Sequence, residues 1–211
     1  MPEKLTPEQV IEQLSKFIFT INDGSYDEDY SRVDHVHMVF EQNGWKSLSS
    51  DGCYSEVYIS PCQQYVLKAN ISTDLYPLYA YWSISNQENP YFPNIYWHFS
   101  MVHRADCYRH TYGYVLSVTL MEKLEKSTAE ELSEDKDISK LYKVSACDYN
   151  GCLLKIQQNK VDVHDTLLGS FLAFVKYISS TRNIRGIDLT DSSNFMIRDG
   201  KQVVITDPIV Q

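Results

Sequence analysis

The sequence lacks a long apolar run, an export signal and the cysteine pattern of a disulfide framework. Its longest apolar stretch, Leu167 to Ile178, is interrupted by glycine, serine and lysine and is too short to cross a bilayer. Met1 is followed by polar residues and a helix-start pattern, where an export signal would have an apolar core. The five cysteines, an odd number at irregular spacings, favour reduced thiols. We therefore expect no membrane partner and a cytoplasmic location.

Positive charge is also scarce, because 19 Lys and Arg residues face 28 Asp and Glu residues, for a net charge of -9. Binding to nucleic acid requires clustered positive charge that displaces counterions from phosphates, so we expect no nucleic-acid partner. Mimicry of nucleic acid is disfavoured because basic residues interleave with the acidic ones. A chain of 211 residues with 43% hydrophobic residues fits one globular domain or two small lobes.

The N-terminal segment predicts two helices. We predict Thr6 as the N-cap of the first helix, with Pro7 at the first helical position and Gln9 closing a capping box. A second apolar pattern predicts a short helix through Val36 that ends near Gly44. We interpret these two helices as an extension that precedes the main fold.

From Trp45 the pattern changes to short alternating runs, which are typical of strands. The runs Tyr54 to Ile59 and Tyr65 to Lys68 predict a hairpin. An aromatic-rich helix is predicted over Tyr76 to Ile84. Two further strands are predicted over Ile95 to Met101 and Tyr114 to Met121.

The C-terminal part predicts a long helix followed by a second hairpin. Apolar residues mark one face of the helix over Leu167 to Ile178. The strand-like runs Asn194 to Ile197 and Gln202 to Thr206 are joined through Asp199 and Gly200, a pair that favours a hairpin turn. The charged residues 125–140 are expected to form a solvated helix or loop.

Asp188, Asn194 and Asp207 are distributed around this second hairpin. Phosphoryl transfer uses an Asp that accepts or orients the substrate hydroxyl proton, and oxygen ligands that hold magnesium. We predict that Asp188 is the catalytic base and that Asn194 and Asp207 are metal ligands. Pro208 biases Asp207 toward an extended backbone. The alternative is an ordinary hairpin whose turn residues are Asp191, Ser192, Asp199 and Asp207.

The first hairpin carries residues that suit a nucleotide. Gly52 would let the backbone approach phosphate, Tyr54 would cap the loop tip, and Lys68 would contact the α- and β-phosphates. Ser55 and Val57 belong to the same predicted nucleotide-binding loop and strand. The alternative for Lys68 is a solvated lysine on a strand, which is the usual environment of this residue type.

The stretch Val115 to Leu124 predicts a buried strand that runs into a charged segment. In a kinase-like chain this would be the hinge, where backbone groups near Met121, Glu122 and Lys123 hydrogen-bond adenine. An edge strand that meets a loop fits the same residues equally well.

The order of these elements resembles that of the early serine/threonine protein kinase of T-seven-like podophages, over residues 45–209. The likeness rests on Gly52-x-Tyr-Ser-x-x-Tyr58, Val66-Leu-Lys68, Pro93-Asn-Ile-Tyr96, Met121-Glu-Lys-Leu124, Asp188-Leu-Thr-Asp-Ser-Ser-Asn-Phe-Met196 and Ile205-Thr-Asp-Pro208. The resemblance implies ATP and Mg²⁺ as cofactors, action in the infected bacterial cytoplasm, and phosphorylation of the kinase itself and of host bacterial proteins, including transcription and RNA-processing machinery.

Several features depart from the kinase pattern. Asp188 and Asn194 are six positions apart where kinases usually have five, so one residue must be bulged. Thr190 stands where such kinases often place His or Lys, which removes a positive charge near the transferred phosphate. Four residues follow Asp207, so we expect no activation segment, peptide-docking helices or host-shutoff domain. The predicted aromatic helix offers no glutamate for Lys68.

Other polar residues are given structural or secondary roles. Zinc binding is disfavoured because the spacing of the candidate ligands fits no standard finger; these are His98, His103, Cys107 and His110. Three hydroxyl residues after the predicted hinge are candidate autophosphorylation sites, namely Ser127, Thr128 and Ser133.

The sequence thus predicts an α+β, two-lobed protein-kinase-like fold with a short C-lobe and an N-terminal helical extension. The predicted domains are the extension over 1–44, the N-lobe over 45–121 and a reduced C-lobe over 122–211. The predicted function is a phage-type serine/threonine protein kinase that transfers the ATP γ-phosphate to itself and to host proteins. The alternatives are a catalytically inactive kinase-like module that inhibits a host protein by binding, and a small-molecule kinase. The substrate protein and a homodimer that would complete the short lobe are left open.

Overall fold

The computed structural model describes residues 4–18, 32–49, 55–71, 76–103, 114–128, 132, 138, 141, 166–178, 186–187 and 194–210. The chain divides into two compact units, the first formed by 1–74 and 95–123 and the second by 75–94 and 124–211. The described elements form an α+β architecture in which every strand pairing is antiparallel. The lobe boundaries 1–44, 45–121 and 122–211 stay a prediction.

The two N-terminal helices form as predicted. Helix α1 spans Pro7–Ser15, and its capping box is present: the Gln9 N–H donates to Thr6 Oγ1 at 3.4 Å and the Thr6 N–H donates to Gln9 Oε1 at 2.8 Å. Helix α2 spans Arg32–Gln42. Gly44 follows it with φ +81°, a conformation that glycine adopts without strain and that ends helices.

The first unit contains a five-stranded sheet of order β1-β2-β3-β5-β4. Its strands are β1 Lys46–Ser49, β2 Ser55–Ile59, β3 Tyr65–Ile71, β4 Ile95–His103 and β5 Tyr114–Glu122. The predicted first hairpin is therefore confirmed as β2 and β3, and the two predicted strands that follow are confirmed as β4 and β5. The edge strand β1 was not predicted individually.

One face of this sheet packs against the helices α1 and α2. Tyr58, Leu67 and Leu120 from the sheet are buried together with Leu14 of α1 and Phe40 of α2. The rings of Phe40 and Tyr58 lie 4.8 Å apart between their centroids. Each large apolar side chain buried in this way contributes about 1.5–3 kcal/mol. The segment expected to be an extension is thus part of the core of the first unit.

The elements whose bounds are described in the second unit are two helices and the strands of two small sheets. Helix α3 spans Tyr76–Ser85 and helix α4 spans Leu167–Ile178, both as predicted. One sheet has the order β6-β8-β9 and the other pairs β10 with β7. The strands are β6 Glu125–Lys126, β7 Gly186–Ile187, β8 Phe195–Arg198, β9 Gln202–Ile205 and β10 Ile209–Val210.

The predicted second hairpin is confirmed as β8 and β9. Asp199 and Gly200 form its turn with φ +52° and +66°, and two successive positive φ values are characteristic of the type I′ turn that matches the twist of paired strands. Asp-Gly is a sequence that this turn favours, which explains why the hairpin was readable from the sequence.

The expectation of a solvated segment over 125–140 is wrong at several positions. Glu125 and Lys126 are exposed but form the strand β6, which pairs with Ile197 and Met196 of β8. Leu132 and Ile138 are buried. A segment can be highly charged overall and still bury its few apolar residues, because burial is decided side chain by side chain.

Aromatic side chains fill the core of the second unit. Tyr79 of α3 packs against Phe174 of α4 with ring centroids 5.3 Å apart and against Phe92 at 6.2 Å. Trp82 contacts the same two phenylalanines.

Within the ranges that the structure describes, no helix is both long and apolar enough to cross a membrane.

Candidate functional site

The predicted site residues are distributed over both units, and some lie outside the described residues. The first unit contains Ser55, Val57, Lys68, Met121, Glu122 and Lys123. The second unit contains Asn194 and Asp207. Outside the described residues lie Gly52, Tyr54 and Asp188.

Lys68 lies on β3, on the face of the sheet opposite the helical core. Its neighbours in the chain, Leu67 and Ala69, belong to that core, and successive side chains of a strand point to opposite faces. Only 7% of Lys68 is accessible to solvent. This low exposure shows that the alternative of a solvated strand lysine is wrong. Burial of an ammonium group is costly unless polar or charged groups accompany it, so the neighbours of Lys68 are of interest.

The strand register sets the neighbours of Lys68 on its own face. Val57 of β2 and Thr119 of β5 are its direct partners, and His98 of β4 is the partner of Thr119. Directly opposite residues on adjacent strands place their side chains on the same face, about 5 Å apart. Lys68 therefore lies between an aliphatic and a hydroxyl side chain.

A row of uncharged polar residues extends this face on one side of Lys68. Asn70, Ser117 and Thr119 are all buried. Thr119 Oγ1 lies 2.8 Å from Nδ1 of His98, and Nε2 of His98 lies 2.9 Å from Ser100 Oγ. Burial lowers the pKa of His98 to about 4, so the imidazole is neutral at pH 7 and can donate through one nitrogen and accept through the other.

Sequence reasoning missed this polar row. The signal was present in the alternation, because Lys68 and Asn70 are two residues apart on β3, and Ser117 and Thr119 are two residues apart on β5. Period-two polarity on a central strand indicates a polar face. His98 was considered only as a zinc ligand, whereas here it bonds two hydroxyl groups.

Apolar residues occupy the same face on the other side of Lys68. Val66 of β3 pairs with Met121 of β5 and with Ile59 of β2, and Met121 also pairs with Ile95 of β4. Met121 is buried. An aliphatic surface next to a lysine suits a nucleotide, since the base is apolar on its faces and the phosphates are anionic.

The other residues predicted to contact the nucleotide do not all have their side chains on the face of Lys68. Ser55 pairs with Asn70 and therefore shares the face of Lys68. Glu122 pairs with Tyr65, so its side chain belongs to the opposite face, although the prediction concerned its backbone. Lys123 follows the end of β5 and is exposed.

In the second unit, Asn194 and Asp207 lie at the open end of the β8–β9 hairpin. Phe195 pairs with Ile205, and the Thr206 N–H donates to the carbonyl oxygen of Asn194 at 2.8 Å. Paired Cα atoms are about 5 Å apart and successive ones about 3.8 Å, so the Cα atoms of Asn194 and Asp207 are within about 9 Å of each other. Asn194 is 9% exposed. Its amide oxygen and the carboxylate of Asp207 are hard ligands of the type magnesium prefers.

The β7–β10 pairing adds a second link at this end of the hairpin. Ile187 pairs with Ile209 and Gly186 pairs with Val210. Asp188 follows Ile187 in the sequence and itself lies outside the described residues. The strand that precedes the predicted base is thus paired with the strand that follows Asp207, a contact that the sequence did not predict.

The segment between α3 and β4 holds the hairpin through hydrogen bonds that the sequence did not indicate either. The Arg198 guanidinium donates to the carbonyl oxygens of Pro90 at 2.7 Å and Phe92 at 2.8 Å. The Ile205 N–H donates to the carbonyl oxygen of Tyr91 at 2.9 Å. These contacts join residues more than a hundred positions apart, which is why no local pattern reveals them.

Among the described residues, no group of three or more His, Cys, Asp or Glu side chains is placed to hold a metal ion. Asn194 and Asp207 stay the two predicted metal ligands, and the predicted catalytic base, Asp188, lies outside the described residues. No protein-family model matches the chain, and no curated protein matches it either. No family is therefore assigned to it.

Proposed function

We propose that the protein is an ATP- and Mg²⁺-dependent phosphotransferase of the protein-kinase-like type, acting as a serine/threonine protein kinase. The observation that carries the proposal is the buried Lys68 on the third strand of an antiparallel sheet, on the face opposite the helical core. Protein kinases hold the phosphates of ATP with a lysine on the third strand, and they bind magnesium through an Asn and a later Asp. The chain has these residue types in this order.

In the first unit, Lys68 is assigned to the α- and β-phosphates. Val66 and Met121 form the aliphatic surface against which the adenine packs, and Val57 and Ser55 lie on the same face. Backbone groups from Met121 to Lys123 are assigned to the edge of the base. This division follows from the face itself, which is apolar on one side of the lysine and polar on the other.

In the second unit, Asn194 and Asp207 are assigned as ligands of magnesium, and Asp188 as the residue that orients the substrate hydroxyl. The fit rests on the donor set, since an amide oxygen and a carboxylate are suited to a hard divalent cation. Magnesium bound there would neutralise charge on the β- and γ-phosphates. The hydrogen bond from Thr206 to Asn194 keeps the two ligand residues at one end of the hairpin.

The finer assignments come from the resemblance to the podophage kinase. These assignments are a two-lobed kinase-like fold with a short C-lobe, action in the cytoplasm of an infected bacterium, and host proteins as substrates.

Autophosphorylation is assigned to the hydroxyl residues Ser127 and Thr128, which follow β6. The Ser127 hydroxyl donates to the carbonyl oxygen of Phe195 at 2.8 Å, next to Asn194, and the following Thr128 is exposed.

A second candidate function is a kinase-like module that inhibits a host protein by binding and transfers no phosphate. The observation that favours it is the composition of α3, the helix that follows the Lys68 strand, which contains no Asp or Glu. Active kinases use a glutamate on the corresponding helix to hold the lysine. The six-residue spacing from Asp188 to Asn194 points in the same direction.

Transfer of labelled γ-phosphate from ATP, to the protein itself and to bacterial lysate, separates the two candidates. Lys68→Ala should lower the transfer about a hundredfold or more, because a charge that stabilises the transferring phosphate is removed. Lys46→Ala is the matched control, since Lys46 is an exposed lysine on β1 of the same sheet, and it should transfer phosphate as the wild type does.

The outcomes are distinct. Equal transfer by Asp188→Ala and the wild type would remove the kinase proposal. Host growth effects that persist in both Lys68→Ala and Asp207→Ala would favour the binding module. Mass spectrometry of the products would distinguish phosphorylated protein from a phosphorylated small molecule.

A further inference from the structure

We infer that Tyr79 is a positioning residue for Asp207, because its hydroxyl group fixes the backbone two residues before the carboxylate that is assigned to the metal. This inference rests on the proposed function of Asp207. The Tyr79 O–H donates to the carbonyl oxygen of Ile205, a contact between residues 126 positions apart.

The ring of Tyr79 is held firmly. The residue is fully buried in the core of the second unit. Its ring centroid lies 5.3 Å from that of Phe174, 5.7 Å from that of Tyr76 and 6.2 Å from that of Phe92. Close packing on several sides restricts the rotamer of a large aromatic side chain, so the hydroxyl is a fixed donor.

Ile205 is bonded from outside the hairpin through both of its backbone polar groups. Its N–H donates to the carbonyl oxygen of Tyr91 at 2.9 Å, and its carbonyl accepts from Tyr79. The next residue, Thr206, donates its N–H to Asn194. The backbone that leads into Asp207 is therefore defined by three hydrogen bonds, and the Tyr79 bond is the one that a side chain supplies.

The electrostatics of Tyr79 agree with a donor role close to Asp207. Burial raises the pKa of Tyr79 well above its usual value; the Ser83 hydroxyl and the charge of Arg198 act to lower this pKa, and the negative charge of Asp207 acts to raise it. The hydroxyl therefore stays protonated at neutral pH. Replacement by phenylalanine removes this one donor and leaves the packed ring in place.

The test is the affinity for Mn²⁺, measured by electron paramagnetic resonance in the presence of a saturating non-hydrolysable ATP analogue. Tyr79→Phe should bind Mn²⁺ about tenfold more weakly than the wild type, because the backbone that carries Asp207 loses the buried hydrogen bond that fixes it. Tyr81→Phe is the matched control, because Tyr81 is on the same helix and 51% exposed, and its affinity should equal that of the wild type.

A second variant separates the hydroxyl from the packing. Phe92→Leu loosens the contact with the Tyr79 ring but keeps the hydroxyl, so it should lower the Tm without changing the Mn²⁺ affinity measured well below the Tm. Equal Mn²⁺ affinities for Tyr79→Phe and the wild type would overturn the inference, and so would an equal weakening by Phe92→Leu. If Mn²⁺ binding to the wild type is absent, or is unaffected by Asp207→Asn, the proposed metal site itself falls. In that case the role of Tyr79 falls with it.

Discussion

In the first unit Lys68 lies on an inner strand of a five-stranded sheet, and both pairings of that strand run without a register shift. In the second unit Asn194 and Asp207 flank a hairpin whose strands are only four residues long. The neighbours of Lys68 are set by strand register, which is a repeating property. The surroundings of Asn194 and Asp207 depend on individual hydrogen bonds, which Arg198 and Tyr79 donate and the Tyr91 carbonyl oxygen accepts. The first unit therefore positions its candidate site residue by secondary structure, and the second unit positions its two by tertiary contacts.

The physical reason for this difference is the size of the sheets. A two-stranded hairpin is only marginally stable by itself, whereas three or more strands with a buried apolar face can support one another. The β8–β9 hairpin gains a two-residue neighbour in β6 and then depends on the aromatic core beside it. Mutations outside the site should consequently affect function more strongly in the second unit than in the first.

The largest expected effect is the truncation of a core aromatic residue in each unit. Phe174→Ala and Phe40→Ala should each lower the free energy of unfolding by about 3–5 kcal/mol, because both rings are fully buried and leave cavities. Phe174→Ala removes a whole ring whose centroid lies 5.3 Å from that of Tyr79 and leaves a cavity into which the Tyr79 ring can move, whereas Phe92→Leu keeps a large apolar side chain in place. Phe174→Ala should therefore also weaken Mn²⁺ binding under conditions where the protein is folded. Urea denaturation and Mn²⁺ titration measure the two effects. Mn²⁺ binding that is lost to the same degree in Phe40→Ala would contradict the comparison between the units.

The next largest effect is expected from the Arg198 side chain. Arg198→Gln should lower the free energy of unfolding by about 2 kcal/mol, since it removes charge-assisted hydrogen bonds to two carbonyl groups. Lys201→Gln is the matched control, because it removes the same charge from an exposed position in the turn of that hairpin, and it should be nearly neutral. Thermal denaturation measures the Tm of each variant. Equal Tm values for Arg198→Gln and Lys201→Gln would show that the Arg198 bonds do not stabilise the hairpin.

A smaller effect is expected from His98 in the first unit. Its pKa is lowered to about 4 in the folded protein, below the value of about 6.5 in an unfolded chain. Between pH 6.5 and 4 the unfolded chain therefore binds a proton that the folded protein excludes, so stability falls as the pH falls and is unaffected above this range.

After allowance for partial solvent screening, His98 should account for about 1–2 kcal/mol of this loss. His98→Gln keeps a polar side chain and should flatten that part of the pH dependence. Urea midpoints at pH 7.5 and pH 4.5 give the comparison. The same difference between the two midpoints in the variant and the wild type would show that His98 does not exclude the proton.

The smallest effect is expected at the start of the chain. Thr6→Ala should cost about 1 kcal/mol, because it removes the side-chain oxygen that caps α1. Thr6→Asn should be nearly neutral, since asparagine caps a helix as well as threonine does. Urea denaturation of the two variants measures the difference. Identical stability of Thr6→Ala and Thr6→Asn would show that the capping box makes no contribution.

The elements that the sequence predicted well are those with local signals. The capping box at Thr6, the Asp199-Gly200 turn and the apolar face of α4 each depend on residues within a few positions of one another. The very short strands β7 and β10 carry no such signal, because two residues cannot establish an alternation. The burial of Leu132 and Ile138 was hidden for a similar reason, since the composition around them is dominated by charge.

Part of the candidate site was also readable from the sequence. The lysine on the second strand of the first hairpin, and the Asn and Asp around the second hairpin, were identified as residue types suited to phosphate and magnesium. Their burial and their neighbours were not identified. The uncharged row of Thr119, Ser117 and Asn70 beside Lys68 depends on the pairing of β3 with β5, two strands separated by more than 40 residues.

The periodic elements, the turn chemistry and the kinds of side chain at the candidate site could be predicted from the sequence alone, because they follow from local backbone preferences and residue chemistry. Three features follow only from packing of the folded chain: the burial of Lys68, the pairing of β7 with β10, and the hydrogen bond from Tyr79 to Ile205. Such contacts join residues far apart in the chain. Their formation depends on how the whole core packs, and no local pattern specifies that.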